Sequence, residues 1–155
     1  MTHRNILQVL GLLAFGLWPG FAVDLRQRET LKGLPGVAVT VVVRGLDDTR
    51  NADLQRSLQV DTELRLRQNK ITVLEASVPG RPVLTVRLVI YRSDQPKTDA
   101  LAFFVESNVA QDASLSRNSR YVRAVTYQSD QLIGITNTDV LRDHMRRACS
   151  EALVL

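Results

Sequence analysis

Cysteine is almost absent from this 155-residue chain, which contains Cys149 alone. No internal disulfide can form, so the fold has to be held by its hydrophobic core, for which the length is sufficient. Cys149 has two interpretations. An unpaired thiol in an oxidising compartment can form an intermolecular bridge, whereas a small apolar residue on the last predicted helix is simply buried. The second interpretation is the simpler one, and we expect it.

Long apolar runs are also missing, with one exception at the N-terminus. Met1–Asn5 is short and basic, Ile6–Trp18 is apolar and uncharged, and Pro19–Ala22 supplies a helix breaker and small residues. This pattern is typical of a secretory signal cleaved after Ala22, and it predicts export to the periplasm or the outside of a bacterial cell. The apolar run is short of the ~20 residues that a membrane-spanning helix needs. An uncleaved anchor extended by Phe21–Val23 is the alternative.

Histidine is scarce as well, because only His144 is left once the predicted signal is removed. His144 precedes Cys149 by five residues on a predicted helix, which turns their side chains about 140° apart and excludes a dyad. No second histidine completes a His-based metal site, and neither a nucleophile elbow nor a glycine-rich phosphate loop is present. These absences predict no metal, no cofactor and no enzyme activity. A hydrolase whose carboxylates are brought together by folding is the open alternative.

Neither sign of charge dominates the chain. Lys and Arg number 20, Asp and Glu number 16, and without Arg4 of the signal the balance is 19 against 16, or +3. This excess is too small to indicate nucleic-acid binding, which export also disfavours. It does favour anionic surfaces such as a phosphorylated lipid or a glycan.

After the signal, the sequence predicts a flexible leader over residues 23–32 and a single α+β domain over residues 33–155. Hydrophobic periodicity predicts the order β-α-β-β-β-β-α. The predicted strands are 37–43, 71–75, 83–91, 101–113 and 121–136, and the predicted helices are 52–69 and one that begins at Asn137 or Thr138. The simplest arrangement is a two-layer sandwich, with a mostly antiparallel sheet of about five strands and both helices on one face. Strand 37–43 has valines on both faces and is expected at the centre.

Several side chains are assigned by this periodicity. Strand 83–91 alternates, and the first helix carries an apolar stripe. The predicted core residues are Leu84, Val86, Leu88 and Ile90 on the strand, Leu54, Leu58, Thr62 and Leu66 on the first helix, and Leu141, Met145, Ala148 or Cys149, and Ala152 on the last helix. Asn69 is expected to end the first helix in the left-handed conformation. Asp61 and Glu63 each precede an arginine by four residues, which predicts ion pairs on a solvated helix face.

The connection between the last two predicted strands is the candidate binding site. Arg117, Arg120 and Arg123 surround Tyr121 within eight residues. Arginines beside an aromatic ring can grip phosphate or carboxylate groups, or stack on a sugar or a partner side chain. The alternative is that the arginines serve solubility and protect an exposed edge.

Two segments carry a resemblance to known proteins. Residues 33–43 read GLPGVAVTVVV, and residues 61–91 read DTELRLRQNKITVLEASVPGRPVLTVRLVIY. Over about Thr30–Arg92 the chain resembles an uncharacterised family of short exported bacterial proteins, with a GLPGV strand, a D-x-E-L-R-L-R helix end and an I-x-V-L strand. The layout also resembles the amino-terminal domain of periplasmic TolB at the level of fold. Neither resemblance implies catalytic residues.

Export, a compact core, the missing catalytic side chains and a projecting hairpin together predict a function. We expect a non-enzymatic periplasmic domain that binds another cell-envelope protein, in an accessory or assembly role. The alternative is a binding module for an anionic glycan or lipid headgroup, acting through the same basic surface.

Overall fold

A computed structural model describes residues 29–76, 78–92 and 99–151 of the chain. These residues form two layers, a mixed six-stranded sheet and two helices packed on one of its faces. The strands are β1 (Val37–Arg44), β2 (Val73–Leu74), β3 (Val83–Arg92), β4 (Ala100–Ser114), β5 (Tyr121–Gln128) and β6 (Leu132–Asn137), and the helices are α1 (Asp48–Gln68) and α2 (Leu141–Glu151). A short 3-10 turn, Thr138–Val140, leads into α2. The predicted α+β sandwich is confirmed.

The strands lie in the order β2-β1-β3-β4-β5, and β6 also pairs with β4. β1 is parallel to both β2 and β3, whereas β4 is antiparallel to β3, β5 and β6. The sheet therefore contains two parallel strand pairs, whereas a mostly antiparallel sheet was predicted. Helix α1 carries the chain back to the end of the sheet at which β1 began, so the strands that follow, β2 and β3, start at that end and run parallel to β1. β1 is an interior strand, as expected, but β3 is at the centre of the order.

β5 and β6 were expected to form one strand over residues 121–136, and this prediction is wrong. They pair with different ends of β4, on the side that β3 does not occupy. Between them Ser129 anchors the chain, because its backbone N–H donates to the Ser107 carbonyl at 2.8 Å and its Oγ accepts from the Ser107 N–H at 2.9 Å. A register shift between Val109 and Ala110 accompanies the break.

The core lies between the sheet and the helices. Every predicted core residue within the described ranges is buried, including Leu84, Val86, Leu88 and Ile90 of β3. α1 begins at Asp48, four residues earlier than expected, because the Asp47 side chain accepts a hydrogen bond from the Arg50 N–H at 2.9 Å. Such a cap satisfies an N–H group that has no partner within the helix.

The end of α1 also differs from the expectation. Lys70, and not Asn69, takes the left-handed conformation, with φ of 62°. The Ile71 N–H donates to the Leu66 carbonyl and the Lys70 N–H donates to the Arg67 carbonyl. These two bonds form a Schellman motif, in which the left-handed position is most often glycine.

The described part of the predicted leader is packed against the domain. Thr30 donates through Oγ1 to the Thr126 carbonyl at 3.0 Å, and its own carbonyl accepts from Gln111 Nε2 at 3.1 Å. Leu31 packs against the core. The predicted signal, residues 1–22, lies outside the described residues, as does Ala152. Within the described ranges, neither helix is long and apolar enough to cross a membrane.

Candidate binding surface

The hairpin formed by β4 and β5 extends beyond its neighbour β3. The last residue pair between β3 and β4 is Val83 with Ala110, so Gln111–Ser114 pair only with β5. The connection Leu115–Arg120 is closed by a hydrogen bond from the Leu115 N–H to the Arg120 carbonyl at 2.8 Å. Ser119 within it has a φ of 54°. We call Leu115–Tyr121 the hairpin tip.

Three of the four predicted contact residues lie at the hairpin tip. Tyr121 is 78% exposed. Arg117 and Arg120 are exposed as well, and neither forms an ion pair within the described part of the chain. A guanidinium without a carboxylate partner keeps its donors available for an external acceptor, and an exposed phenol ring offers a surface for stacking.

Arg123 is placed differently from the other three. Its Nη1 lies 3.2 Å from Asp112 Oδ1 on the facing strand, and its Nη2 donates to the Arg81 carbonyl at 2.6 Å. It thereby joins the hairpin to the loop that precedes β3. The structure thus gives Arg123 an internal set of partners. Among the described residues, the cations of the site without an ion-pair partner are Arg117 and Arg120.

A second exposed feature lies on the sheet face that points away from the helices, which we call the open sheet face. Its apolar part consists of two neighbouring cross-strand rows, Val89–Phe104–Ile133 and Tyr91–Ala102–Ile135. Tyr91, Ile133 and Ile135 are 62%, 74% and 75% exposed. Exposed large side chains that lie together are unusual for the outer face of a two-layer fold, which is commonly polar.

An ion pair lies beside these apolar rows. Arg87 on β3 is paired directly with Glu106 on β4, and its Nη2 donates to Glu106 Oε1. Glu106 is only 4% exposed, although it lies on the open sheet face. Gln131 Nε2 approaches its second oxygen at 3.5 Å. A carboxylate that is this buried is tolerated because a guanidinium offsets its charge.

Sequence reasoning identified this face only in part. Because the alternation of strand 83–91 assigns Leu84, Val86, Leu88 and Ile90 to the core, it also implies that Arg87 and Tyr91 point outward, and both are exposed. Ile133 and Ile135 were missed because alternation alone does not show which face of Leu132–Asn137 is covered, and it favours burial of the face that carries both isoleucines. The pairing of β6 with β4 decides which of its side chains are covered, and that pairing is a long-range property.

The two helices enclose a cleft of about 320 Å³ that is lined by charged and polar side chains. Asp61 on α1 accepts hydrogen bonds from Arg146 on α2, with Nε to Oδ2 at 2.7 Å. The expected pairing of Asp61 with Arg65 is not formed, whereas Glu63 and Arg67 do pair, at 3.0 Å. Cys149 lines the same cleft, and burial, followed by the charge of Asp61, raises the pKa of its thiol to about 12.

The remaining candidates for chemistry lie apart from one another. His144 Nδ1 is 2.7 Å from Thr136 Oγ1, so this ring joins α2 to β6. Across the described ranges, no three His, Cys, Asp or Glu side chains form a group that could hold a metal ion. Four clefts in the described part of the chain are lined by at most one carboxylate residue each.

The described residues present exposed surfaces for contact more than clusters of reactive groups. The two most prominent of these surfaces are the hairpin tip and the open sheet face. Comparison of the chain with protein-family models, with curated proteins and with solved structures finds no match.

Proposed function

We infer that this chain is an exported, non-enzymatic domain that binds another protein of the cell envelope through its hairpin tip. The observation that carries this proposal is the exposure of Tyr121 next to two arginines, Arg117 and Arg120, without ion-pair partners among the described residues. Tyrosine and arginine are, together with tryptophan, enriched among the residues that dominate binding energy at protein interfaces.

The position of the hairpin tip supports the same proposal. The tip lies at the end of a hairpin that extends four residues past β3, so a partner can approach it without contacting the helices. Its base is held by Arg123 with Asp112 and the Arg81 carbonyl. A preorganised loop loses less conformational entropy on binding than a flexible one. The predicted signal and the resemblance to short exported bacterial proteins support a partner in the envelope.

The alternative function is binding of an anionic glycan or lipid headgroup. The same two arginines favour it, because guanidinium groups bind phosphate and sulfate in bidentate fashion. The two proposals differ in their dependence on salt. Binding that rests on charge alone falls steeply as the Debye length shortens from about 10 Å at 0.1 M salt to about 3 Å at 1 M salt.

The test is site-specific photo-crosslinking in the native cell. A photoreactive phenylalanine analogue replaces Tyr121 in one strain and Val60 in another, since Val60 is a 60% exposed apolar residue on α1. We expect one abundant protein adduct from position 121 that position 60 does not give. The double variant Arg117→Ser with Arg120→Ser should lower this adduct at least fivefold.

The matched control removes the same charge elsewhere. Arg142 and Arg147 are exposed on α2 and form no ion pair within the described residues. The double variant Arg142→Ser with Arg147→Ser should leave the adduct unchanged. Equal adducts from positions 121 and 60, or equal loss in both double variants, would refute the hairpin tip as the contact site. Adducts to lipid or glycan alone would transfer the proposal to the alternative function.

A further inference from the structure

The sheet ends at an edge that carries none of the usual protection against pairing. β6 pairs with β4 on one side, and within the described residues no strand pairs with its other side. Natural edge strands are commonly blunted by lysine, proline, an inward-pointing charge or a bulge. Residues 131–138 read QLIGITNT and contain no charge and no proline. The unpaired side of β6 therefore remains competent for pairing.

The apolar rows of the open sheet face run up to this edge. Ile133 and Ile135 are the last residues of the two rows, and about three quarters of each side chain is exposed. Gly134 lies between them and points to the helix side, where a Cβ atom would come within 2.4 Å of the Phe103 ring. The surface around the edge is thus continuous and apolar on one face of the sheet.

β6 is also held firmly in its extended conformation. It pairs with β4 over all six of its residues. Thr136 is 2% exposed and its hydroxyl contacts His144 of α2, while Leu132 packs against the core. An edge that is already ordered can pair without a large loss of conformational entropy.

We propose that β6 pairs with β6 of a second copy of this chain, antiparallel and around a two-fold axis at Gly134. The proposal goes beyond the function inferred above and uses none of the residues of the hairpin tip. It places Ile133 of each copy opposite Ile135 of the other, so that four isoleucines meet on the open sheet face. The two sheets then form one continuous sheet, with the helices of both copies on the same side.

The sequence of β6 is complementary to itself in this register. A two-fold axis perpendicular to the sheet keeps the same faces together, so directly opposite residues lie an even number of positions apart in the sequence. The axis then passes midway between the two copies of one residue. Centring on Gly134 sets isoleucine against isoleucine twice, whereas centring on either isoleucine pairs that residue with its own copy once and leaves the other isoleucine opposite Gln131 or Asn137. The paired residues Leu132–Asn137 carry no charge, so no like charges face each other within the strand.

The size of the contact sets the expected affinity. A six-residue edge with four isoleucines is smaller than the ~800 Å² per partner of a stable interface, so we expect a dissociation constant on the order of 10 µM. The charged pair nearest to this edge does not oppose association, because Arg87 and Glu106 neutralise each other.

Cysteine crosslinking tests the register. The full chain is prepared with Ile133→Cys and, separately, with Ile135→Cys, and an equal mixture is mildly oxidised. In the proposed register, position 133 of one copy lies directly opposite position 135 of the other, within reach of a disulfide. Position 133 of one copy lies diagonally from position 133 of the other, at ~7–8 Å, and the same holds for position 135. We expect at least fivefold more crosslinked dimer in the mixture than in either protein alone. Cys149 is buried and contributes little background.

Sedimentation velocity from about 1 to about 200 µM tests the association itself. We expect a concentration-dependent dimer that Ile135→Lys weakens at least tenfold. The control is Val125→Lys, which places the same charge on an exposed residue of β5 outside the proposed contact. A monomer throughout this range, crosslinking without preference for the mixture, or a dimer that Ile135→Lys leaves intact would each overturn the proposal. None of these results affects the proposed function, whose test uses the hairpin tip.

Discussion

Cys149 lies buried between the two helices, where its environment raises the pKa of the thiol from 9.0 to about 12. In the unfolded chain the thiol ionises at its ordinary pKa, so the folded state retains a proton that the unfolded state loses. The stability that Cys149 contributes through its protonated thiol is fully present below pH 9 and is lost as the pH rises toward about 12. The free energy of unfolding should therefore fall by up to about 1.4 kcal/mol per pH unit in this window because of Cys149.

The measurement is urea unfolding at several pH values from 8 upward, with Cys149→Ala as the reference. The variant lacks the thiol but retains every other group that titrates in this range. We expect it to be less stable at pH 8, by about 1–2 kcal/mol, and the difference should shrink as the pH rises. Parallel curves for the two proteins would contradict a buried, protonated thiol.

Lys70 holds a backbone conformation that side chains disfavour, with φ of 62°. Replacement by glycine removes the contact between Cβ and the backbone that makes this region costly. Lys70→Gly should therefore raise the free energy of unfolding by about 0.5–1 kcal/mol, measured by urea unfolding at neutral pH. Lys70→Ala is the control, because it removes the ammonium group and keeps Cβ. A gain of the same size in the alanine variant would assign the effect to charge instead of backbone strain.

The ion pair of Asp61 shows what the sequence could not predict for an individual residue. The spacing of four residues favours a pair with Arg65, and the same spacing correctly predicts Glu63 with Arg67. Asp61 instead pairs with Arg146, which is distant in sequence. The contact depends on how α2 packs against α1, and local spacing contains no information about that packing.

At the scale of elements, the β4–β5 hairpin separates two kinds of arginine. Arg123 contacts Asp112 and the Arg81 carbonyl and so connects the hairpin to the loop before β3. Arg123→Ser should lower the free energy of unfolding by about 1 kcal/mol, because it removes a partly exposed ion pair and a charge-assisted hydrogen bond. Arg117→Ser should change it by less than about 0.5 kcal/mol. Thermal unfolding of the two variants and of the unmodified chain measures both changes in stability.

Equal destabilisation by the two substitutions would show that the hairpin tip is itself part of the stabilising structure. The sequence alone grouped Arg123 with the arginines of the tip because all three are close along the chain. Their separation comes from the strand pairing, which sets Arg123 opposite Asp112 while Arg117 lies in the turn.

The elements whose apolar side chains recur at a regular spacing were predicted well. The alternation of β3 and the stripe of α1 assign their buried residues correctly, because both follow from local geometry and the burial of apolar side chains. The division of the predicted last strand at Ser129 was not predictable in this way. No glycine or proline marks the break, and its cause is the hydrogen bonding between Ser129 and Ser107, 22 residues earlier.

At the scale of the whole molecule, the apolar surface is distributed unequally. One face of the sheet is covered by the helices, and the other carries Tyr91, Ile133 and Ile135 at high exposure. The hairpin tip lies at the far end of the same sheet. The two surfaces are therefore separable by substitution, and the proposed contact with an envelope protein and the proposed pairing of two copies are expected to be independent events.

Among the described elements, strand β4 alone pairs with three others through its backbone, with β3 on one side and β5 and β6 on the other. Over Ala100–Ala110 its residues alternate between the open sheet face and the core. A single inserted or deleted residue near its middle would exchange these faces and displace three partners at once. We therefore expect length variation among relatives of this chain to concentrate in the turn Leu115–Arg120 and to be absent from β4, which makes this strand a fixed reference for aligning sequences that have otherwise diverged.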